Sequence, residues 1–147
     1  MKFDNKVIFV SGANRGIGKA VVEALLKQPV KRIYAAARKV DSLPNFRDAR
    51  VVPVTLDITN HVQVANAAQQ ASDTDVLINN AGVVTVAGVV TGTPEQLRSD
   101  MEVNYFGTLS MVRSFAPVLE KHKGAVANVI SLVGLASMPM AGGYSAS

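Results

Sequence analysis

Apolar runs and amphipathic stretches alternate along the whole sequence, with no low-complexity tract, repeat or linker dividing them. Short unbroken apolar runs suit strands covered on both faces, and apolar residues three and four apart suit helices packed on a sheet. Their alternation predicts βαβ units on a parallel sheet. Val7, Ile8, Phe9 and Val10 form the first such run, and Ile17, Ala20, Val21, Ala24 and Leu25 then recur at the spacing of one helix face.

A second strand is predicted over 32–37 and a third over 50–56. Pro53 in the third has no amide to donate, which is tolerated mainly at a sheet edge, so this strand is placed outermost. Thr59 is positioned to cap a helix running to about residue 71, and 75–78 reads as a short fourth strand. Thr93-Pro94-Glu95-Gln96 has the capping-box form with proline at the first helical position. Two helical stretches follow, one to about residue 103 and one over 105–121, the second expected to bend at Pro117. Residues 125–130 read as a fifth strand. The expected fold is α/β, a Rossmann-type doubly wound parallel sheet ordered 3-2-1-4-5, with residues 1–147 as a single domain.

Composition narrows the function classes. The net charge of +4 is spread over scattered Lys and Arg residues, and only 5% of residues are aromatic, which argues against nucleic acid as a partner. The absence of cysteine excludes a disulfide scaffold and a thiolate nucleophile, and two histidines without a ligand cluster argue against a metal site. No apolar stretch approaches the roughly 18 to 20 residues of a membrane span, and the first ten residues are too polar for a signal peptide. A soluble, cytoplasmic protein without a membrane partner is expected.

The first strand leads into Ser11-Gly12-Ala13-Asn14-Arg15-Gly16-Ile17-Gly18. A loop that leaves a parallel strand and opens a helix offers free amides and the positive helix end to a pyrophosphate. In this loop Gly12 permits the turn, Gly16 lets phosphate approach the backbone, and Gly18 lets helix and strand pack closely. The cofactor type depends on the end of the second strand, where an acidic residue would bind a ribose 2′-hydroxyl and repel a 2′-phosphate. Ala36, Ala37 and Arg38 stand there, with no carboxylate. Arg38 and Arg15 are suited to flank one phosphate, so NADP(H) is expected over NAD(H).

Taken together, these stretches resemble the short-chain dehydrogenase/reductase family, whose glycine motif Thr-Gly-x-x-x-Gly-x-Gly is matched with Ser11 in place of Thr. The resemblance implies cofactor binding by Ser11, Gly12, Asn14, Arg15, Gly16, Ile17, Gly18 and Arg38, and by Asp57 and Ile58 after the third strand. It extends this role to Asn80, Ala81 and Gly82 within Asn79-Asn80-Ala81-Gly82. It also implies an active site of Asn104, Ser131 and Tyr144. Taken singly, each of these residues has an ordinary structural explanation as a turn, cap or strand end; their order and spacing carry the resemblance. The implied reaction is hydride transfer between nicotinamide and a small carbonyl or alcohol, with Tyr144 exchanging the proton on oxygen and Ser131 holding that oxygen. Residues 83–90 and 132–140 would supply an apolar wall for a hydrophobic or medium-sized carbonyl.

An unassisted phenol titrates near pH 10, at about that value in model peptides, and is a poor acid or base at neutral pH. The resemblance implies a helping lysine four residues after Tyr144, one position past Ser147. The expectation is therefore a catalytically incomplete piece, cut before a sixth and seventh strand, of an enzyme that is a homo-oligomer in its full-length form. Two alternatives stay open: a non-catalytic dinucleotide-binding module, and a subunit completed by another chain. In each case the fifth strand should be a bare edge, and the exposed apolar surface should favour association.

Overall fold

In the computed structural model, which describes residues 2–147, the five apolar runs pair as one parallel sheet. The strands are β1 (Val7–Ser11), β2 (Arg32–Ala37), β3 (Val51–Thr55), β4 (Val76–Asn79) and β5 (Ala125–Asn128), in the spatial order 3-2-1-4-5. β1 pairs with β2 from Val7↔Arg32 to Ser11↔Ala36, and with β4 from Ile8↔Val76 to Val10↔Ile78. Pro53 lies opposite Ala35 on the outermost strand, as its missing amide requires.

Both faces of the three central strands are buried, which is why β1, β2 and β4 read as continuous apolar runs rather than alternating ones. On one face Val7, Phe9, Tyr34, Val54 and Leu77 pack under the helices α2 (His61–Gln70) and α4 (Thr108–His122), through Val64, Ala67, Met111, Phe115 and Leu119. Phe9 and Phe115 meet there with ring centroids 4.8 Å apart. On the other face Ile8, Val10, Ile33, Ala35, Val76 and Ile78 pack against Val22 and Leu25 of α1 (Gly16–Leu26).

Four elements differ from the sequence expectation. The buried face of α1 is Gly18, Val22 and Leu25, whereas Ile17, Ala20 and Ala24 are exposed. The cause is Gly18, where an added Cβ would overlap the Gly12 carbonyl; this close approach sets the rotation of the helix. Asn60 rather than Thr59 caps α2, its side chain accepting from the amides of Val62 and Gln63. The Thr59 hydroxyl turns the other way and donates to Asp57 Oδ1 (2.7 Å).

The two helical stretches after Thr93 are one unbroken run: α3 (Pro94–Asp100), a wide π-type turn at Met101–Gly107, and α4, which continues through Pro117. The capping box at Thr93 and Gln96 forms as expected. β5 ends at Asn128; the Val129 amide still donates to the Asn79 carbonyl, and Ile130 leaves the sheet at 81% exposed. A short helix, α5 (Gly142–Ala146), packs against α3 and completes the described structure.

Candidate functional site

Parallel strands put all their carboxyl ends on one edge, and that edge gathers the residues singled out from the sequence. Ser11 ends β1, Arg38 follows β2, Asp57 follows β3, Asn80 follows β4 and Ser131 follows β5. The strand order reverses between β1 and β4, and ligands of such sheets bind in the crevice at that switch point.

The glycine loop is tied across this switch point. Ser11 is buried, and its Oγ accepts from the amides of Asn80 (3.0 Å) and Ala81 (3.1 Å). In return the Asn80 Nδ2 donates to the carbonyls of Ser11 (3.0 Å) and Gly12 (3.1 Å). The Ala13 amide donates to Ala36 O (2.9 Å), which holds the loop beside the end of β2. Gly12 has φ +67° and lies so close to Ala81 that an added Cβ would come within 2.9 Å of the Ala81 Cα. Gly16 has φ +54° and faces open space.

α1 starts without a cap. Arg15 occupies the capping position in an extended conformation, no side chain bonds the first-turn amides, and no acidic residue lies in the first turn. The starts of α2 and α3 are both capped by side chains. The amides that open α1 are thus free donors at a positive helix end, the requirement for an anion site.

Electrostatics separate the two edges of the sheet. The pairs Lys6–Asp75, Arg32–Asp73 and Arg50–Asp48 all lie at or just before the amino ends of strands. Burial pushes the Asp75 carboxyl up, but the Val7 amide, Lys6 and His122 outweigh it and hold the group below the usual carboxylate range. The Arg50 guanidinium, followed by its amide, holds the Asp48 carboxyl at about 2. At the carboxyl edge Arg15 and Arg38 are exposed and, among the described residues, make no ion pair or side-chain hydrogen bond.

Other expected cofactor residues are placed less simply. Ile17 is exposed in the first turn of α1, and Asn14 is half-buried in the loop. Asp57 accepts from both the amide and the hydroxyl of Thr59, so one carboxylate oxygen is occupied locally. The side chain of Ile58 is part of the core beneath Gly107, which leaves only its backbone for a ligand. Ala81 and Gly82 line the chain leaving β4, and a Cβ at Gly82 would come within 3.1 Å of Asn104 Oδ1.

Asn104 lies in the π-type turn and grips the segment after β4, accepting from Val83 N (2.9 Å) and donating to Val83 O (2.9 Å). Ser131 stands just past β5 and accepts from Val133 N (3.2 Å). Tyr144 is half-buried on α5, which packs on the turn at Leu132–Gly134. No hydrogen bond joins Ser131 to Tyr144. The two apolar wall segments do meet: Ala87 N donates to Met140 O (2.9 Å), and a hollow of about 420 Å³ is lined by Val89, Met138, Met140 and Ser145. A second hollow of about 500 Å³, between His61, Glu102, Phe106 and Arg113, holds none of the residues singled out.

Two polar residues were missed. Asp100 is fully buried and accepts from Thr85 N (2.9 Å), and Ser147 accepts from Asn104 Nδ2 (2.9 Å). The only sequence signal was spacing, Asp100 standing one helical turn before Asn104. Among the described residues there is no cluster of three metal-ligating side chains, and no helix is long and apolar enough to cross a membrane.

An open α/β sheet with a free helix start at its switch point is the architecture of a dinucleotide-binding fold. Comparison with known proteins sharpens this, because residues 6–147 match the family model for short chain dehydrogenase. The chain belongs to the short-chain dehydrogenase family. It is similar to a short chain dehydrogenase from Burkholderia cenocepacia solved in complex with NADP: 44% identity and a TM-score of 0.95, covering 99% of this chain and 62% of that one. It is 31% identical to the 3-ketodihydrosphingosine reductase of Bacteroides thetaiotaomicron, over 97% of this chain and 53% of that protein. It is also 33% identical to oxidoreductase BOA17 of Botryotinia fuckeliana, over 95% and 54% respectively. The chain thus spans about half the length of the curated relatives it matches.

Proposed function

We propose that this chain binds NADP(H) in preference to NAD(H) and serves an oxidoreductase acting on a small carbonyl or alcohol. The observation that carries the reading is the uncapped start of α1 with Arg15 at its cap position, Arg38 just past β2, neither arginine in an ion pair among the described residues, and no acidic residue at the end of β2. The NADP complex of the Burkholderia cenocepacia relative supports the same choice. When bound, the nicotinamide supplies or accepts a hydride.

In this reading the amides between Gly12 and Gly18 hold the pyrophosphate. Arg15 and Arg38 hold the 2′-phosphate, for which a planar guanidinium is well matched. Asp57 and the backbone of Ile58 border the adenine, and Asn80, Ala81 and Gly82 border the adenosine side. Ser131 donates a hydrogen bond to the substrate oxygen, Tyr144 gives or takes the proton there, and Asn104 holds the strand-end segment against the helix run. The apolar hollow beside Met138 and Met140 supports a substrate with a hydrophobic body. We further propose a cytoplasmic homo-oligomer.

A second reading is favoured by the uncovered fifth strand: a dinucleotide-binding subunit completed by another chain. Turnover measured with this chain alone, with the complete gene product, and with co-purified partners separates the two. In whichever form turns over, Tyr144→Phe is expected to abolish carbonyl reduction while leaving NADPH affinity within about twofold, since only the proton-exchanging hydroxyl is lost. Retained turnover would remove Tyr144 from the acid/base role.

A further inference from the structure

We propose that the Ser147 hydroxyl is a positioning group that locks the Asn104 amide to the helix carrying Tyr144; the inference rests on the catalytic reading of that tyrosine.

The hydrogen bonds define a single relay. An asparagine amide has two N–H donors and one carbonyl acceptor. In Asn104 the acceptor takes the Val83 amide, one donor goes to the Val83 carbonyl, and the other goes to Ser147 Oγ, each at 2.9 Å. The Val83 amide can only donate, so it also fixes which end of the Asn104 side chain is oxygen. The Ser147 hydroxyl, having accepted from Asn104, donates to the main-chain carbonyl of Tyr144 at 3.0 Å. Three segments that are remote in sequence are thereby joined through two side chains.

A second rung lies one turn away. Asp100 accepts from Thr85 N and sits so close to Gly143 that an added Cβ would come within 3.0 Å of its Oδ2. Positions 100 and 104 on one helix run thus face 143 and 147 on the other, while Val83 and Thr85 alternate on the extended segment between them. The close approach at Gly143 sets the spacing of the helices. It carries no hydrogen bond that fixes rotation; the Ser147 contact supplies one.

The helix that carries Tyr144 is seated on α3 and on the Met101–Gly107 turn, so its contacts with that run set the direction of the Tyr144 side chain. Removing the Ser147 hydroxyl leaves an Asn104 N–H unpaired and removes the side-chain link between Asn104 and the helix that carries Tyr144.

The test uses the complete gene product with Ser147→Ala, Ser147→Thr and Tyr144→Phe. Ser147→Ala is expected to lower kcat about tenfold or more, because misplacing a reacting group by about 1 Å costs up to a hundredfold, with KM for NADPH within about twofold. Ser147→Thr, which keeps the hydroxyl, is expected to restore kcat to within about threefold of the native value. A readout independent of turnover is the Asn104 side-chain amide signal in NMR, which should shift in the alanine variant and return in the threonine variant. An unchanged kcat and amide signal in Ser147→Ala, or a threonine variant no better than alanine, would overturn the proposal. If instead Tyr144→Phe keeps its turnover, the catalytic reading itself fails, and the amide signal still reports whether the Ser147 contact exists.

Discussion

Arg38 leaves β2 at the point where an acidic side chain would bind a ribose 2′-hydroxyl, and it has no ion-pair partner among the described residues. A charge-assisted hydrogen bond is worth about 1.5 to 3 kcal/mol, or about ten- to a hundredfold in affinity. Arg38→Asp is accordingly expected to weaken NADPH binding by that factor and NADH binding much less; equal losses in calorimetry would reject the 2′-phosphate role. Asp48 offers a separate test at the far edge. Its carboxyl is held at about 2 in the folded chain, below the roughly 3.9 of an unfolded one. A depressed carboxyl contributes stability that is full above the unfolded value and fades as pH falls through the folded one. Between about pH 4 and pH 2, Asp48→Asn is therefore expected to lose stability less steeply than the native chain in denaturant titrations. Parallel slopes would contradict the pairing with Arg50, whose guanidinium also binds the carbonyls of Leu26 and Gln28 behind α1.

Side chains cap the starts of α2 and α3 but not those of α1 and α5, and of these two only α1 opens from the glycine loop at the switch point. Asn60→Ala removes the α2 cap and is expected to cost about 1 kcal/mol of stability with cofactor affinity unchanged. Thermal unfolding checks this, and a larger loss from Thr59→Ala would restore Thr59 as the cap. The error in placing that cap is instructive. Both residues are good caps by type, and only the folded chain reveals that Asn60 Oδ1 reaches the amides of Val62 and Gln63 while the Thr59 hydroxyl turns to Asp57. The strands were readable because burial on both faces leaves continuous apolar runs, as in Val7–Ser11. The face of α1 was not, since Gly18 carries no hydrophobicity yet fixes the rotation by its contact with Gly12. The glycine loop and Asn104 could be found as motifs. Asp100 and Ser147 could not, because their importance comes from neighbours that meet only through the fold.

Across the whole molecule, ion pairs consolidate the amino edge of the sheet while the carboxyl edge keeps its free amides and arginines. β5 is the weak flank: Val126 is 41% exposed, and Ile130 and Leu132 project beyond it. An apolar sheet edge of this kind templates association, so the isolated chain is expected to self-associate at micromolar concentration, and Val126→Lys to reduce this in sedimentation without lowering the melting temperature. Unchanged association would place the contact elsewhere. The central claim is that the uncapped start of α1 holds a dinucleotide pyrophosphate. Isothermal titration of the folded protein tests it most directly: NADPH should bind with measurable heat and more tightly than NADH, and the absence of heat with both cofactors would contradict the account.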